Sequence, residues 1–315
     1  MNAQGLPRCN SNHGELRMKK TNQTKRAIAL LAMAWTAAVS ASARADNTSG
    51  VPIPPEPTFP TGDADARGHA IAKHADAYDS GWGDQYLQAR MTLIDARGRE
   101  VVRDTRGMTL EGAAGDKALV RFMSPADIRG VAALIHEHPQ TADDTWLYLP
   151  ATRRVRRIAG ANRTASFQGT EFTYEDLSSL IVERYDWRFL RETTITVDGK
   201  EEPVFELEAR PNYEDTGYSK LVLTVNRNNF RTSRVEFYDK AGERLKTLAA
   251  SKWKVYHGRF HRPLELDMRN HQTGKRTVIE ASSYFVNLSL YPRRDGSARS
   301  NLTDEQFTRR ALEDG

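Results

Sequence analysis

The feature that most constrains the fold is an alternation of apolar and polar residues that recurs from Tyr86 onward. Phe205, Leu207 and Ala209 alternate with charged neighbours, and residues 264–268 repeat the pattern. A period of two is typical of β-strands that bury one face and expose the other. The sequence therefore predicts a mainly β chain with about ten or more strands.

The connections between these segments are short. Asp198-Gly199, Ala241-Gly242 and Thr273-Gly274 fall between successive segments, as expected for hairpins. Short connections favour antiparallel pairing in a meander. Such a sheet must curl or be covered, because its apolar face cannot stay open to water. Two outcomes remain open at this point: an apolar hollow that suits an acyl chain, or a barrel core packed with its own side chains.

Few helices are predicted to cover the sheet. The first, over residues 63–80, follows a capping aspartate at Asp63 or Asp65. The second, over residues 173–181, begins at Thr173 with a T-x-x-D pattern, a variant of the capping box. A strongly curved sheet with so few helices would carry them as a lid.

The N-terminal region has the pattern of a bacterial secretion signal. Met18, which we expect to be the true start, opens a basic stretch, and an apolar core follows at residues 28–39. Residues 43–45 form an A-x-A site, so we expect residues 1–45 to be removed. Residues 46–62 are rich in proline and predict an extended leader. One domain is then expected over residues 63–315, located in the periplasm.

Charge and cysteine content exclude several classes of function. The whole chain has a net charge of +5, but residues 1–45 hold seven Lys or Arg and one Glu, so the rest carries 39 basic against 40 acidic residues. A chain with a net charge of −1 lacks the basic excess typical of a nucleic-acid binder. The single cysteine, Cys9, lies in the predicted signal region, so no disulfide, thiolate nucleophile or lipid anchor is expected.

Motifs for catalysis or cofactor binding are not found: the sequence lacks a G-x-S-x-G elbow, an H-E-x-x-H motif, a P-loop and a dinucleotide fingerprint. His136 and His138 could ligate zinc, but without a third ligand nearby a surface pair on an edge strand is favoured. His257 and His261 are interpreted in the same way. Carboxylates at residues 143–144 and 175–176 are assigned to a turn and to a helical first turn. We therefore expect no enzyme activity, no metal and no cofactor.

An arginine-rich strand is the strongest candidate for binding. Arg153, Arg154, Arg156 and Arg157 crowd one short segment. One interpretation is ion pairing within the chain; the other is a basic mouth that contacts an anionic headgroup or an acidic partner through bidentate guanidinium contacts. The acidic neighbours considered for ion pairing are Glu171, Glu175 and Asp176.

Residues 120–177 resemble the LolA-like family of outer-membrane lipoprotein-sorting proteins, and a looser resemblance extends over residues 63–290. The resemblance is carried, in order, by Phe122, Pro125, Ile128, Gly130, Trp146, Tyr148, Leu149, Pro150, Arg153, Arg157, Ile158, Phe167, Gly169, Phe172, Tyr174, Asp176 and Leu177. It implies an unclosed β-barrel of about eleven strands, with helices as a lid over an apolar cavity. The chain is longer than the compact members of the family.

The resemblance also implies a function: binding the acyl chains of lipoproteins or other lipids during transfer across the periplasm, with only transient membrane contact and with an RND-type exporter as a possible partner. The residues expected to line the cavity or its mouth are Phe122, Trp146, Tyr148, Phe167, Phe172, Tyr174, Phe205, Leu207, Leu264 and Leu266. The four arginines would guide a headgroup or a partner. The alternative is an exporter scaffold that binds protein and no lipid.

Overall fold

The computed structural model describes residues 54–55, 57–293 and 296–314. These form one antiparallel sheet with helices α1 (Ala64–Tyr78) and α2 (Arg309–Glu313). The strands are β1 Asp84–Ile94, β2 Glu100–Leu110, β3 Lys117–Ser124, β4 Ala132–His136, β5 Asp144–Leu149, β6 Arg154–Ile158, β7 Tyr185–Val197, β8 Lys200–Pro211, β9 Tyr218–Asn226, β10 Thr232–Asp239, β11 Arg244–Tyr256, β12 Phe260–Asn270 and β13 Arg276–Val286. The predicted signal region, residues 1–45, lies outside the described residues. Within the described ranges, no helix combines the length and apolar character needed to cross a bilayer.

The sheet consists of two meanders, β1 to β6 and β7 to β13, which are joined by the pairing of β1 with β13. Its strand order is β6-β5-β4-β3-β2-β1-β13-β12-β11-β10-β9-β8-β7, so every strand lies beside a sequence neighbour except where β1 pairs with β13. Strands β6 and β7 are the two edges and the sheet is not closed into a barrel. The predicted half-open antiparallel barrel is confirmed, with thirteen strands where about eleven were expected.

The alternation in the sequence separates two faces of the sheet. On β8, Phe205, Leu207 and Ala209 are buried, and they belong to the main apolar cluster together with residues of α1. We call the face that contacts α1 the inner face. The neighbouring Glu206 pairs with Arg191 on the other, outer face. Because alternate side chains of a strand point to opposite faces, one sequence period produces both the core and the charged exterior.

Helix α1 lies on the inner face against strand β7. Its cap is Asp63, whose carboxylate accepts hydrogen bonds from the backbone N–H groups of Asp65 and Ala66 at 2.9 and 3.0 Å, so the predicted helix and its cap are confirmed. At Gly68 a Cβ atom would lie 2.5 Å from the carbonyl carbon of Arg188. Glycine at this position therefore allows the helix to rest directly on the strand backbone.

A long connection, residues 159–184, joins edge strand β6 to edge strand β7 and is here called the crossover segment. It contains three 3-10 turns, Gly160–Thr164, Glu175–Leu177 and Val182–Arg184. The prediction of a helix over 173–181 is therefore wrong, although the capping contact exists: Asp176 accepts from the Thr173 backbone N–H at 2.6 Å. The segment stays irregular because its polar groups bond to the sheet, as described below.

A second apolar cluster lies on the outer face. The C-terminal residues Phe307 and Leu312 pack there against Leu119 and Leu134 of β3 and β4. Arg121 holds the terminal helix by donating to the carbonyl oxygens of Ala311 and Leu312, at 2.8 and 3.1 Å. The C-terminal helix thus covers the outer face, and α1 and the crossover segment cover the inner one.

Candidate functional site

The inner face brings most of the predicted cavity residues together. Those buried in the main apolar cluster are Phe122, Phe167, Phe172, Tyr174, Phe205, Leu207 and Leu266, and Leu264 packs against it from a partly buried position. The rings of Phe122 and Phe167 lie 5.4 Å apart, and those of Phe167 and Tyr174 lie 5.6 Å apart. The crossover segment therefore contributes its aromatic side chains to the same core as the sheet.

Trp146 and Tyr148 are placed elsewhere. Both lie on the outer face, in the cluster built around Phe307, whereas Leu147 between them points inward and belongs to the main cluster. This position on the outer face does not agree with the expectation that the two rings line the cavity or its mouth. The period of two fixes this outcome, since only one set of alternate residues on β5 can face the interior.

The interior is largely filled by side chains. A cavity of about 70 Å³ remains between the last turn of α1 and strands β10 to β12, and one of about 30 Å³ lies beneath the crossover segment. Pockets that hold drug-sized ligands usually measure about 300–1,000 Å³. Wider surface clefts of about 550 and 920 Å³ flank α1, the first beside Phe205 and the second beside Trp187. An acyl chain that enters the apolar core itself therefore needs movement of the elements that cover the inner face.

One polar anchor holds the crossover segment to the sheet. Nζ of Lys246 on β11 lies 2.5 Å from the carboxylate of Asp176 and also donates to the carbonyl oxygen of Glu171 at 3.1 Å. Both side chains of the ion pair are nearly inaccessible, 2% and 5% exposed. Tyr218 donates to the same carboxylate at 2.7 Å, and burial together with Asp176 raises the pKa of Tyr218 well above its usual value. These bonds explain why residues near 176 form a 3-10 turn and not a longer helix.

A second anchor joins the crossover segment to the loop after β4. Asp143, whose side chain is fully buried, accepts from Arg163 at 3.2 Å and from Arg184 at 2.6 Å. Glu137 accepts from the backbone N–H of Ser179 at 2.6 Å. Burial, reinforced by the nearby carboxylates of Asp116 and Asp143, raises the pKa of Glu137 to about 8. The segment is thus tied down at one point by a carboxyl group that is largely protonated at neutral pH.

The arginine-rich strand is the exposed edge strand β6. Arg153 lies in the preceding turn with φ of 50°, and Arg154, Arg156 and Arg157 are exposed. Arg157 forms an ion pair with Asp144. Charged side chains on an edge strand also discourage pairing with other chains.

The acidic partners considered for these arginines are engaged elsewhere. Glu171 accepts from Asn270 at 2.8 Å, Glu175 accepts from Tyr213 at 2.7 Å, and Asp176 binds Lys246. Ion pairing within the chain is therefore correct for Arg157, but the expected partners are wrong. The partner lies across the β5–β6 hairpin, and the crossover carboxylates point into the sheet.

The histidine pairs are occupied by ordinary structural contacts. Nε2 of His136 lies 2.7 Å from the carbonyl oxygen of Phe307, and Nε2 of His138 lies 3.0 Å from Asp144. Strand β4 lies between β3 and β5, so the interpretation of an edge-strand pair is wrong. His257 and His261 contact the carbonyl oxygens of Val286 and Arg259. In the described part of the chain, no three metal-ligating side chains lie close enough to hold an ion.

Two arginines that sequence reasoning passed over line the cavity of about 70 Å³. Arg259 donates to the carbonyl oxygens of Ala77 and Tyr78 at the end of α1, and Arg262 forms an ion pair with Asp79 at 2.7 Å. Burial lowers the pKa of Arg259. Burial acts in the same direction on Arg262, but Asp79 and Tyr284 together outweigh it and the pKa is raised. Arg262 lies on the same face of β12 as Leu264 and Leu266, because the three residues are two positions apart. A charged residue at a position where the pattern predicts an apolar one was the available signal in the sequence.

Comparisons with known proteins agree with this geometry. A family model with the description "Uncharacterized protein" matches residues 114–314. A domain from Vibrio parahaemolyticus described as an outer membrane lipoprotein-sorting protein is 37% identical, with a TM-score of 0.71, and the match covers 78% of this chain and 98% of that one. The comparison with curated proteins gives no match.

Two further solved structures are similar. A DUF1329 family protein from Desulfovibrio piger is 26% identical, with a TM-score of 0.70, over 79% of this chain and 99% of that chain. A LolA superfamily protein from Nitrosomonas europaea is 20% identical, with a TM-score of 0.57, over 78% and 98%. The last likeness concerns the fold alone.

Proposed function

Because the chain belongs to the family of outer-membrane lipoprotein-sorting proteins, which its sequence resembles as LolA-like, we propose that it is a periplasmic carrier for the acyl chains of lipoproteins or other lipids. The observation that carries the proposal is the construction of the inner face. A continuous apolar surface on an unclosed sheet is covered by α1 and the crossover segment. Neither cover is a strand of the sheet, so each can move without breaking the strand ladder.

Energetics support reversible loading. Burial of an acyl chain of about fourteen methylenes yields on the order of 11 kcal/mol at about 0.8 kcal/mol each. Displacing the side chains that now fill the interior, and the polar anchors at Lys246 and Asp143, subtracts from that gain. The balance favours a cargo that is held firmly but is released when an acceptor binds it better.

The remaining parts of the proposal concern partners. The exposed arginines of β6 and of the turn before it, Arg153, Arg154, Arg156 and Arg157, would contact an acidic surface of a partner. An RND-type inner-membrane exporter is the candidate. Contact with membranes would be transient. The carrier acts without catalysis, because its work is to solvate an acyl chain and not to change a bond.

Uptake of a neutral fluorescent acyl probe tests the carrier proposal. Ala250 lines the cavity of about 70 Å³ between α1 and strands β10 to β12. Ala250→Leu adds about the volume that this cavity leaves open, so uptake should fall at least severalfold. Its matched control is Ser251→Leu, one residue along β11 on the opposite face, which should leave uptake unchanged. Equal uptake in all three proteins would contradict loading at the inner face.

A second candidate function rests on the small volume of the cavity. A chain whose interior stays filled could serve as an accessory protein or scaffold of an envelope exporter and bind protein only. The same assay separates the two candidates. Probe uptake favours the carrier, whereas absence of uptake together with binding to an exporter favours the scaffold.

A further inference from the structure

We propose that Arg259 and Arg262 form a binding site for the anionic headgroup of the acyl cargo, and that the last turn of α1 occupies this site as an internal competitor. The inference rests on the proposed carrier function and names the charge of the cargo. It differs from the expectation for the arginines of β6, which lie on an exposed edge away from this cavity.

Arg262 is a buried cation at the wall of an apolar space. It is 6% exposed and lines the cavity of about 70 Å³. Its Nη1 contacts Asp79 at 2.7 Å and its Nε donates to Gln85 at 3.0 Å, but Nη2 has no hydrogen-bond partner. Nη2 is itself inaccessible to solvent. A buried donor without an acceptor costs stability, so Nη2 gains a bond when movement of α1 lets an anionic acceptor reach it.

The rest of the lining has the character of a site for an amphipathic anion. Among the described residues that line the cavity, four are arginines and Asp79 alone is acidic. Arg231 and Arg234 are paired with glutamates outside the lining, so Arg259 and Arg262 are the cations that face a ligand here. Leu248, Ala250 and Leu266 supply an apolar wall on the other side. A charged end beside an apolar wall fits a carboxylate or phosphate attached to a hydrocarbon chain.

The end of α1 imitates such a ligand. Arg259 binds the carbonyl oxygens of Ala77 and Tyr78, at 3.3 and 2.8 Å, where the helix carries its partial negative charge. Asp79 presents a carboxylate to Arg262. An anionic headgroup that takes over these guanidinium contacts releases the end of α1 from the sheet. Headgroup binding and opening of the inner face are therefore linked.

Two substitutions of opposite effect test the proposal. The probe is N-phenyl-1-naphthylamine, a neutral dye, bound to the full chain and displaced by laurate or by methyl laurate, which share one chain length and differ in charge. Wild type should respond to laurate at about tenfold lower concentration than to the ester. Arg262→Gln should remove most of that preference. Asp79→Asn removes the internal competitor and loosens the end of α1, so it should strengthen the binding of laurate severalfold more than the binding of methyl laurate.

Controls make the result independent of folding defects. Arg99→Gln, in the exposed turn between β1 and β2, should keep the wild-type preference. If Arg262→Gln does not fold, Asp79→Asn decides, because the proposal requires tighter binding of laurate in this variant, and unchanged or weaker binding refutes the site. Inorganic phosphate alone should leave the dye bound, and displacement by phosphate at the concentrations at which laurate acts would overturn the acyl part of the proposal.

Failure of the site and failure of the carrier give different results. If both laurate and the ester displace the dye at equal concentrations, the carrier proposal stands and the headgroup site is refuted. If the chain binds neither the dye nor either ligand, the carrier proposal fails and the headgroup site fails with it.

Discussion

Replacing Glu137 with glutamine is expected to remove a pH dependence of stability. The carboxyl group accepts from the backbone N–H of Ser179 through one oxygen, and the other oxygen has no hydrogen-bond partner. Burial and the carboxylates of Asp116 and Asp143 raise the pKa of Glu137 to about 8. Glutamine keeps the acceptor for Ser179 and has nothing to deprotonate.

The magnitude follows from the difference between the two states of the chain. In the unfolded chain the carboxyl group has the ordinary glutamate pKa of 4.5, and in the folded chain its pKa is about 8. Between these values the folded state binds more protons, so stability falls as pH rises. From pH 5 to pH 7 the wild type should lose on the order of 2–3 kcal/mol relative to Glu137→Gln. Above pH 8 the difference should level off.

Urea unfolding of both proteins between pH 5 and pH 9 measures this difference. The crossover segment should loosen first as pH rises, because Ser179 is bonded to this carboxyl group, and hydrogen exchange at residues 176–182 should report it. Parallel pH profiles for wild type and Glu137→Gln would refute the reasoning, as would a wild type that gains stability relative to the variant as pH rises.

Three further predictions concern the covers and the edge. Lys246→Met leaves the buried Asp176 carboxylate without its cation and should lower the free energy of unfolding, measured with urea, by about 3–5 kcal/mol. Asp176→Asn in the same chain should recover most of that loss, and a loss below about 1 kcal/mol contradicts the reasoning. Gly68→Ala should push α1 off β7, lowering Tm and raising probe uptake, and unchanged values would be contrary evidence. Arg156→Glu with Arg157→Glu should leave acyl loading intact but slow transfer to acceptor vesicles. Loss of loading would indicate instead that the arginines of β6 bind the headgroup.

The strand pattern was predictable because it is local. Alternation places Phe205 and Leu207 on the inner face with no knowledge of the rest of the sheet, and Asp63 caps α1 through atoms only two and three residues away. Both depend on neighbours in the sequence. The open sheet itself follows from short connections and from one continuous apolar face that few helices can cover.

The errors occurred where the sequence leaves the phase or the partner undetermined. Residues 146–149 are all apolar, so alternation does not say which set faces inward, and Trp146 and Tyr148 were assigned to the wrong side. The crossover segment bonds to Lys246, 70 positions away, and that bond replaces the local helix. Such contacts depend on the folded sheet, and no spacing in the sequence reveals them.

Acyl cargo is the central claim, and its most direct test is the material that the protein carries when it is isolated. The chain would be purified from a bacterial periplasm without detergent, extracted with organic solvent, and the extract analysed by mass spectrometry against an equal amount of the Ala250→Leu protein. The account predicts a stoichiometric acyl lipid or lipopeptide with an anionic headgroup, depleted in the variant. A clean extract, together with no uptake of a fluorescent acyl probe, would contradict it and favour the exporter scaffold.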